Sequence, residues 1–292
     1  MRVVVTGAAG GIGTGVAERL AAADHEVVGI DRDRSGLAEL PDAVETRVVD
    51  LRDGDAVREA LAEDPIDAVV TCAGGYEIAS LEDTTPDAFR RQLDTNLTTV
   101  HTVVRATAPT IRERHGRIVV VGSMLGSVAL PYHGAYSAAK AGVRGYTDAL
   151  RRELEPLGAT VVLVEPGPVR TGFNERAADA LRSRVGDGSR VGDGSRIGGG
   201  SRDAAGRDGD AESVYADAYR AFESYTPTAT GVDTVVKSIV TATTTRNPRT
   251  RYRVSRRARW LPRLAAVLPD RLYDRLVRSG LPGGTLGRLI DR

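Results

Sequence analysis

The 292-residue chain has one cysteine, Cys72, so it can form no internal disulfide. That fits a reducing compartment, and a cytoplasmic location is the expectation. Lysine is nearly absent: Lys140 and Lys237 are the only two, and the remaining basic side chains are arginine. The formal net charge is +1, which gives no global field for nucleic acid. No apolar run approaches the ~20 residues that cross a bilayer. The opening MRVVVTGAAGG has no charged region followed by a long apolar stretch, so it reads as a first strand rather than a signal peptide. His25, His101, His115 and His133 show no ligand spacing, and with one cysteine no metal site is expected. His133, three before Tyr136, is placed to border a substrate cleft, but a solvated loop residue is the expectation.

Short β-branched runs alternate with helical patterns. Strands are predicted at Arg2–Thr6, Glu26–Ile30, Val44–Val49, Asp67–Thr71, Arg117–Val121 and Thr160–Val164, with a last one near Arg251–Val254. Helical patterns run to about Ala23, over Asp53–Ala62, over Pro86–Thr107 and from Ala135 to Glu155. Continuous apolar strands separated by helices argue for a buried parallel sheet. Right-handed crossovers then give a doubly wound α/β sheet of about seven strands with helices on both faces. Residues 183–210 break the pattern with VGDGSR, VGDGSR and IGGGSR in tandem. This stretch has almost nothing apolar to bury, so a flexible insertion is expected there. Its Gly-Asp alternation faintly resembles calcium-binding β-helix repeats, but its period is six rather than nine.

Directly after the first strand, Thr6-Gly7-Ala8-Ala9-Gly10-Gly11-Ile12-Gly13 opens a helix. Glycines at Gly7, Gly10, Gly11 and Gly13 allow a tight turn and let backbone N–H groups, that of Ile12 included, approach a pyrophosphate. The helix N-terminus adds partial positive charge. The strand before and the helix after make this string more than loop punctuation. Asp31 ends the second strand, where a carboxylate can accept from both ribose hydroxyls. Its charge would repel a 2′-phosphate, so NAD is the expected cofactor. Arg32 and Arg34 leave NADP as the alternative, and a plain turn or cap role for Asp31 is the bland reading. Asp50 and Leu51 follow the third strand and are placed to line an adenine pocket. Cys72, Ala73 and Gly74 follow the fourth, where small residues let a cofactor pass close to the backbone.

Tyr136 and Lys140 sit four apart in HGAYSAAKAG, so one helix face holds a phenol beside an ammonium. Ser123, in VVVGSMLG, brings a hydroxyl from a strand end. Taken singly, each has an ordinary explanation as a surface pair or a cap; together, after a nucleotide turn, they describe a proton-transfer device. With these motifs in order, the chain resembles the short-chain dehydrogenase/reductase family in its non-extended form. TGxxxGIG corresponds to Thr6–Gly13, the helix asparagine to Asn96 in DTNLTTV, and PGxVxT to Pro166, Gly167, Val169 and Thr171. The family's NNAG survives only as Thr71-Cys72-Ala73-Gly74. The match covers residues 1–175 well and 211–255 loosely.

The resemblance implies a Rossmann-like fold and hydride transfer between NAD(P) and a secondary alcohol or ketone. It makes Tyr136 the general acid/base. Ser123 would hold the substrate oxygen, and Asn96 a water linking Lys140 to solvent. Lys140 would grip the nicotinamide ribose, and Val169 and Thr171 the carboxamide. A free tyrosine near pKa 10 would need a drop of about three to work at neutral pH, or ~4 kcal/mol. One charge ~4 Å away can supply about that much, so Lys140 and the oxidised nicotinamide ring are expected to lower Tyr136. The family also implies a homodimer or homotetramer. An extended-type epimerase or dehydratase, and a nonenzymatic NAD-binding regulator, are the competing readings.

Residues 1–292 are expected to form one domain, with the insertion at 183–210 lying in the substrate lid. Phe173, Tyr215, Tyr219, Phe222 and Tyr225 cluster around it. They suggest either an apolar pocket wall or a helix stripe packed on the sheet. The segment 246–292 is basic and amphipathic. A membrane surface, a partner subunit and a solvated tail with its apolar face on the body are all compatible with it.

Overall fold

The computed structural model describes residues 1–62, 65–169, 215–223 and 229–280. Seven strands form one parallel sheet: β1 (Arg2–Thr6), β2 (Glu26–Asp31), β3 (Val44–Val48), β4 (Ala68–Thr71), β5 (Arg117–Val121), β6 (Thr160–Pro166) and β7 (Arg251–Val254). Their spatial order is β3-β2-β1-β4-β5-β6-β7. The order reverses between β1 and β4, which pair in parallel from Val3 opposite Ala68 to Thr6 opposite Thr71. In sheets of this kind, ligands bind beyond the strand C-termini at such a reversal.

Helices cover both faces. One face carries α1 (Gly11–Ala21), and the other carries α3 (Gly54–Leu61), α5 (Thr99–Glu113) and α6 (Gly134–Leu154). The short α2 (Arg34–Leu37) and α4 (Pro86–Leu93) follow β2 and the β4 loop. After β6 come α7 (Ala216–Glu223), α8 (Val232–Thr244), α9 (Arg256–Val267) and α10 (Asp270–Ser279). Alternate strand residues feed two cores. Val3, Val5, Val119 and Val162 pack with α1 and α8, while Val4, Val69, Ile118 and Val161 pack with α3, α5 and α6. Because both faces are buried, the inner strands β1, β4, β5 and β6 are nearly continuous apolar runs, whereas the edge strands β3 (VETRV) and β7 (RYRV) carry charged residues.

The long helix predicted over Pro86–Thr107 extends to Glu113 and is not continuous. A π-helical turn, Asp94–Thr98, interrupts it and carries the fully buried Asn96. Such widened turns recur where a helix has a side chain to aim. The segment 183–210, Phe173 and Tyr225 lie outside the described residues.

Ile239 on α8 is completely buried against the β1/β5/β6 core. Ile239→Ala should cost about 3–4 kcal/mol of unfolding free energy in denaturant titration. A loss under ~1 kcal/mol would mean that α8 is not docked as described.

Candidate functional site

Every described site residue predicted from sequence lies at the C-terminal edge of this sheet or on a helix reaching it. The glycine turn leaves β1. Gly7 has φ +70°, a region that side chains rarely adopt. A Cβ there would stand 2.5 Å from the Ala73 backbone nitrogen, so the turn presses directly on the loop after β4. Gly13 meets the same turn from the helix, since a Cβ on it would lie 2.0 Å from the Gly7 oxygen. The first bond of α1 runs from Thr14 N to Gly10 O, 2.8 Å. The N–H groups of Gly11, Ile12 and Gly13 precede it and have no acceptor within the helix.

Asp31, at the end of β2, accepts from Ala9 N at 3.2 Å and from Asp33 N at 3.1 Å. Its carboxylate is thereby fixed beside the turn. Asp50 follows β3, but Arg52 engages its carboxylate, with Nε at 3.0 Å, and holds its pKa down at about 2. Leu51 is buried in the core under β2 and β4. At the positions of the family asparagines, Cys72 N continues the β1–β4 ladder by donating to Thr6 O at 3.1 Å. Thr71 Oγ1 is buried with no partner among the described residues. Desolvation pushes the Cys72 thiol up to about 12, so it is not a nucleophile at neutral pH.

Asn96 is a clasp. Its Nδ2 donates to Gly75 O at 2.7 Å and to Gln92 O at 2.9 Å, and its Oδ1 accepts from Gly75 N at 3.2 Å. It therefore locks the Gly74-Gly75 loop to the π turn. Lys140 rises from α6 into the same spot. Its Nζ donates to Val121 O at 3.2 Å, and a Cβ on Gly74 would sit 3.8 Å from it. Only 4% of the residue is exposed, and burial lowers its pKa to about 8.

Tyr136 is buried one turn earlier on α6, hydrogen-bonded to Ser123. Ser123 also caps the short turn Met124–Gly126 by accepting from Leu125 N at 3.1 Å. In the ligand-free protein Lys140 alone does not bring the expected fall in the Tyr136 pKa: burial pushes it up to about 12, against the lowering effect of the Ser123 bond. Lys140 Nζ stands 5.7 Å from the phenol ring centroid and is bonded to Val121, so its charge does not outweigh desolvation.

Two further residues were not assigned from sequence. Tyr76, just past Gly75, stacks edge-on against Tyr136 with centroids 5.1 Å apart. Its hydroxyl lies 2.7 Å from His133 Nε2. His133 is not solvated as expected but buried, and its Nδ1 lies 2.7 Å from Pro131 O. A carbonyl can only accept, so Nδ1 carries the proton and Nε2 accepts from Tyr76. Beneath Ser123, the buried Glu165 accepts from Ser127 Oγ at 3.1 Å and from Arg253 Nε at 3.2 Å. A glutamate inside VVLVEP was the available sign of this tie between β6, β7 and the Ser123 loop.

Pro166 ends β6 opposite Val254, Gly167 N donates to Val254 O at 3.2 Å, and Val169 bridges Thr230. Thr171 lies outside the described residues. Of the predicted aromatic cluster, Tyr215, Tyr219 and Phe222 gather around Tyr132, with centroids 5.2–6.0 Å away. They pack on the loops flanking α4 and α6 rather than on the sheet. Among the described residues no cluster of histidine, cysteine and acidic groups could hold a metal ion, and no helix is long and apolar enough to cross a membrane.

These features fit a dinucleotide: a turn whose shape demands glycine, a helix N-terminus facing outward, and a fixed carboxylate one strand away. A family model described as short chain dehydrogenase matches residues 1–182. The chain is 34% identical over 179 residues to the 3-ketodihydrosphingosine reductase of Bacteroides thetaiotaomicron, a match covering 59% of this chain and 65% of that protein. It is 27% identical over 286 residues to the "probable short-chain type dehydrogenase/reductase" of Helicobacter pylori, covering 94% and 96%. A Burkholderia cenocepacia short chain dehydrogenase, solved in complex with NADP, shares the fold at TM-score 0.72 and 22% identity, over 94% of this chain and 96% of its own.

The drop in the Lys140 pKa from 10.5 to about 8 corresponds to roughly 3 kcal/mol spent on keeping the ammonium charged. Lys140→Met should therefore raise stability by about 1–3 kcal/mol at neutral pH. The destabilisation is fully present below pH 8 and disappears as the pH approaches 10.5, so the gain must fade over that window. Denaturant titration across pH checks this; a variant less stable than the parent at pH 7 would contradict it.

Proposed function

The chain belongs to the short chain dehydrogenase family and is an oxidoreductase; from that premise we propose that it interconverts a secondary alcohol and a ketone. Tyr136 serves as proton donor and acceptor. The observation that carries this is the convergence of Tyr136, Ser123 and Lys140, all three held by hydrogen bonds or burial, beside the glycine turn.

The bound nicotinamide nucleotide supplies or accepts the hydride. The rest falls to the protein. Ser123 donates toward the substrate oxygen and orients it between itself and the Tyr136 hydroxyl. With its pKa at about 12, Tyr136 is protonated at neutral pH. That is the form that gives a proton to a carbonyl oxygen as it becomes an alkoxide. The phenolate left behind is stabilised by the charge of Lys140, which is retained up to about pH 8. Asn96 fixes the Gly74-Gly75 loop, and the Tyr76–His133 pair braces the face of the Tyr136 ring.

The roles toward the nucleotide follow position. The turn at Gly7, Gly10, Gly11, Ile12 and Gly13 takes the pyrophosphate, and Asp31 takes the adenosine ribose. Asp50, Leu51, Cys72, Ala73 and Gly74 border the adenine and ribose side. Lys140 takes the second ribose, while Pro166, Gly167, Val169 and Thr171 face the carboxamide end. Asp31 favours NAD over NADP by charge. Residues 1–292 work as one domain, with 183–210 within its substrate lid. Tyr76, Met124, Leu125, Val128 and Leu261, gathered around Tyr136, favour an apolar substrate.

Tyr136→Phe tests the assignment. It should lower ketone reduction by ~10³-fold or more, while fluorescence titration finds NADH binding unchanged. Activity within tenfold of the parent would remove Tyr136 from the chemistry. With the parent enzyme, kcat/KM for NADH should exceed that for NADPH by at least about tenfold; the reverse order would overturn the role given to Asp31.

A further inference from the structure

The last two described helices present two unlike faces. On the inner side, Ala258, Leu261, Ala265 and Tyr273 join Met124, Leu125, Val128 and Tyr136 in one apolar cluster. One reading left open by the sequence is thereby met in part: among the described residues, one apolar face of the segment lies on the body. A second apolar stripe remains outside. On α9, Trp260, Leu264 and Val267 follow the i, i+4, i+7 spacing of one face, and on α10 Leu272 and Leu276 do the same. Their exposures are 58% for Trp260, 81% for Val267 and 50% for Leu272, with Leu264 and Leu276 at 37%. These are five of the nine large apolar side chains exposed among the described residues. Exposed apolar stripes of this kind mark a surface that meets something apolar.

The charge beside it identifies what that is. Residues 255–280 contain seven arginines and two aspartates, a local charge of +5 in a chain whose total is +1. Arg256, Arg259, Arg263, Arg271, Arg275 and Arg278 are all exposed. No ion pair among the described residues uses an arginine of α9 or α10, whereas Arg251 and Arg253 of β7 are matched to Asp148 and Glu165. The Arg263 guanidinium stands 5.3 Å from the Trp260 ring, so cation and aromatic share one patch. A second copy of this surface would bring +5 against +5, which disfavours self-association. An apolar stripe with tryptophan, flanked by arginines that form no ion pair among the described residues, fits a sheet of anionic headgroups over acyl chains.

We propose that the outer face of α9 and α10 docks on an anionic lipid bilayer, lying in its surface rather than crossing it. The inner face of the same helices touches the cluster that contains Tyr136, so docking would set the site beside the bilayer and give it substrates dissolved there. This last step rests on the oxidoreductase reading; the docking itself does not.

Cosedimentation of the full chain with vesicles tests it. The protein should pellet with mixed phosphatidylcholine and phosphatidylserine at low salt, remain in solution with phosphatidylcholine alone, and be released as salt screens the headgroups. Substituting Arg263, Arg271 and Arg275 with Gln should weaken partition by about a hundredfold, near fivefold for each charge. Trp260→Ser should weaken it by roughly tenfold. Both variants should keep the parent's thermal midpoint, NADH binding and turnover of water-soluble ketones measured without vesicles. No pelleting with phosphatidylserine vesicles at low salt overturns the docking, as does equal pelleting with neutral ones. A concentration-dependent dimer lost in Val267→Glu, without vesicle binding, overturns it in favour of a second copy. Vesicle binding by a protein inert toward every alcohol and ketone upholds the docking and overturns the oxidoreductase reading instead.

Discussion

Lys140 carries a positive charge into a place that water does not reach, and the surrounding structure is organised around holding it there. Its ammonium has one backbone acceptor, Val121 O, at the end of β5. Burial drives its pKa down to about 8, close enough to neutral that the charge survives. A charge kept out of water acts over several ångströms with little screening. The cost is stability, and the return is a field beside Tyr136 that a surface lysine could not provide. This is the usual exchange at a working site.

The neighbouring elements serve that arrangement. The π turn at Asp94–Thr98 aims Asn96 at Gly75, which fixes the loop against which Lys140 rests. Gly7 and Gly13 bring the nucleotide turn against Ala73 on the other side of that loop. A β-bridge between Ala79 and His133, with the Tyr76–His133 bond, ties the same loop to the start of α6, the helix that carries Tyr136. Glu165, between Ser127 and Arg253, secures the Ser123 loop from below. One loop, from Cys72 to Ser80, thus touches the glycine turn, the lysine and the tyrosine.

Most of this architecture could be read from the chain. β-branched runs with helical spacers specify a parallel sheet, and strand limits differ from expectation by only one or two residues. The helix-borne pair Tyr136 and Lys140 was legible because i, i+4 spacing needs no tertiary knowledge. What could not be read depends on packing. The direction of the Tyr136 shift turns on how much water the fold removes, which spacing cannot report. His133 looked solvated since its partners, Tyr76 and Pro131, come from a distant loop and from a turn of unforeseen shape. The basic tail looked like an amphipathic segment with one apolar face, yet α9 bears two apolar stripes, and only the fold decides which of them is covered.

The chain's shortage of lysine allows a direct measurement of its central feature. With lysine labelled at the ε carbon, the NMR spectrum should contain only two side-chain signals, from Lys140 and Lys237, and the Lys140→Met variant assigns them. The Lys140 signal should titrate with a midpoint at about 8 in the ligand-free protein. A Lys140 signal that shows no transition below pH 10 would contradict it, since the ammonium would then be in water and its field on Tyr136 would be lost.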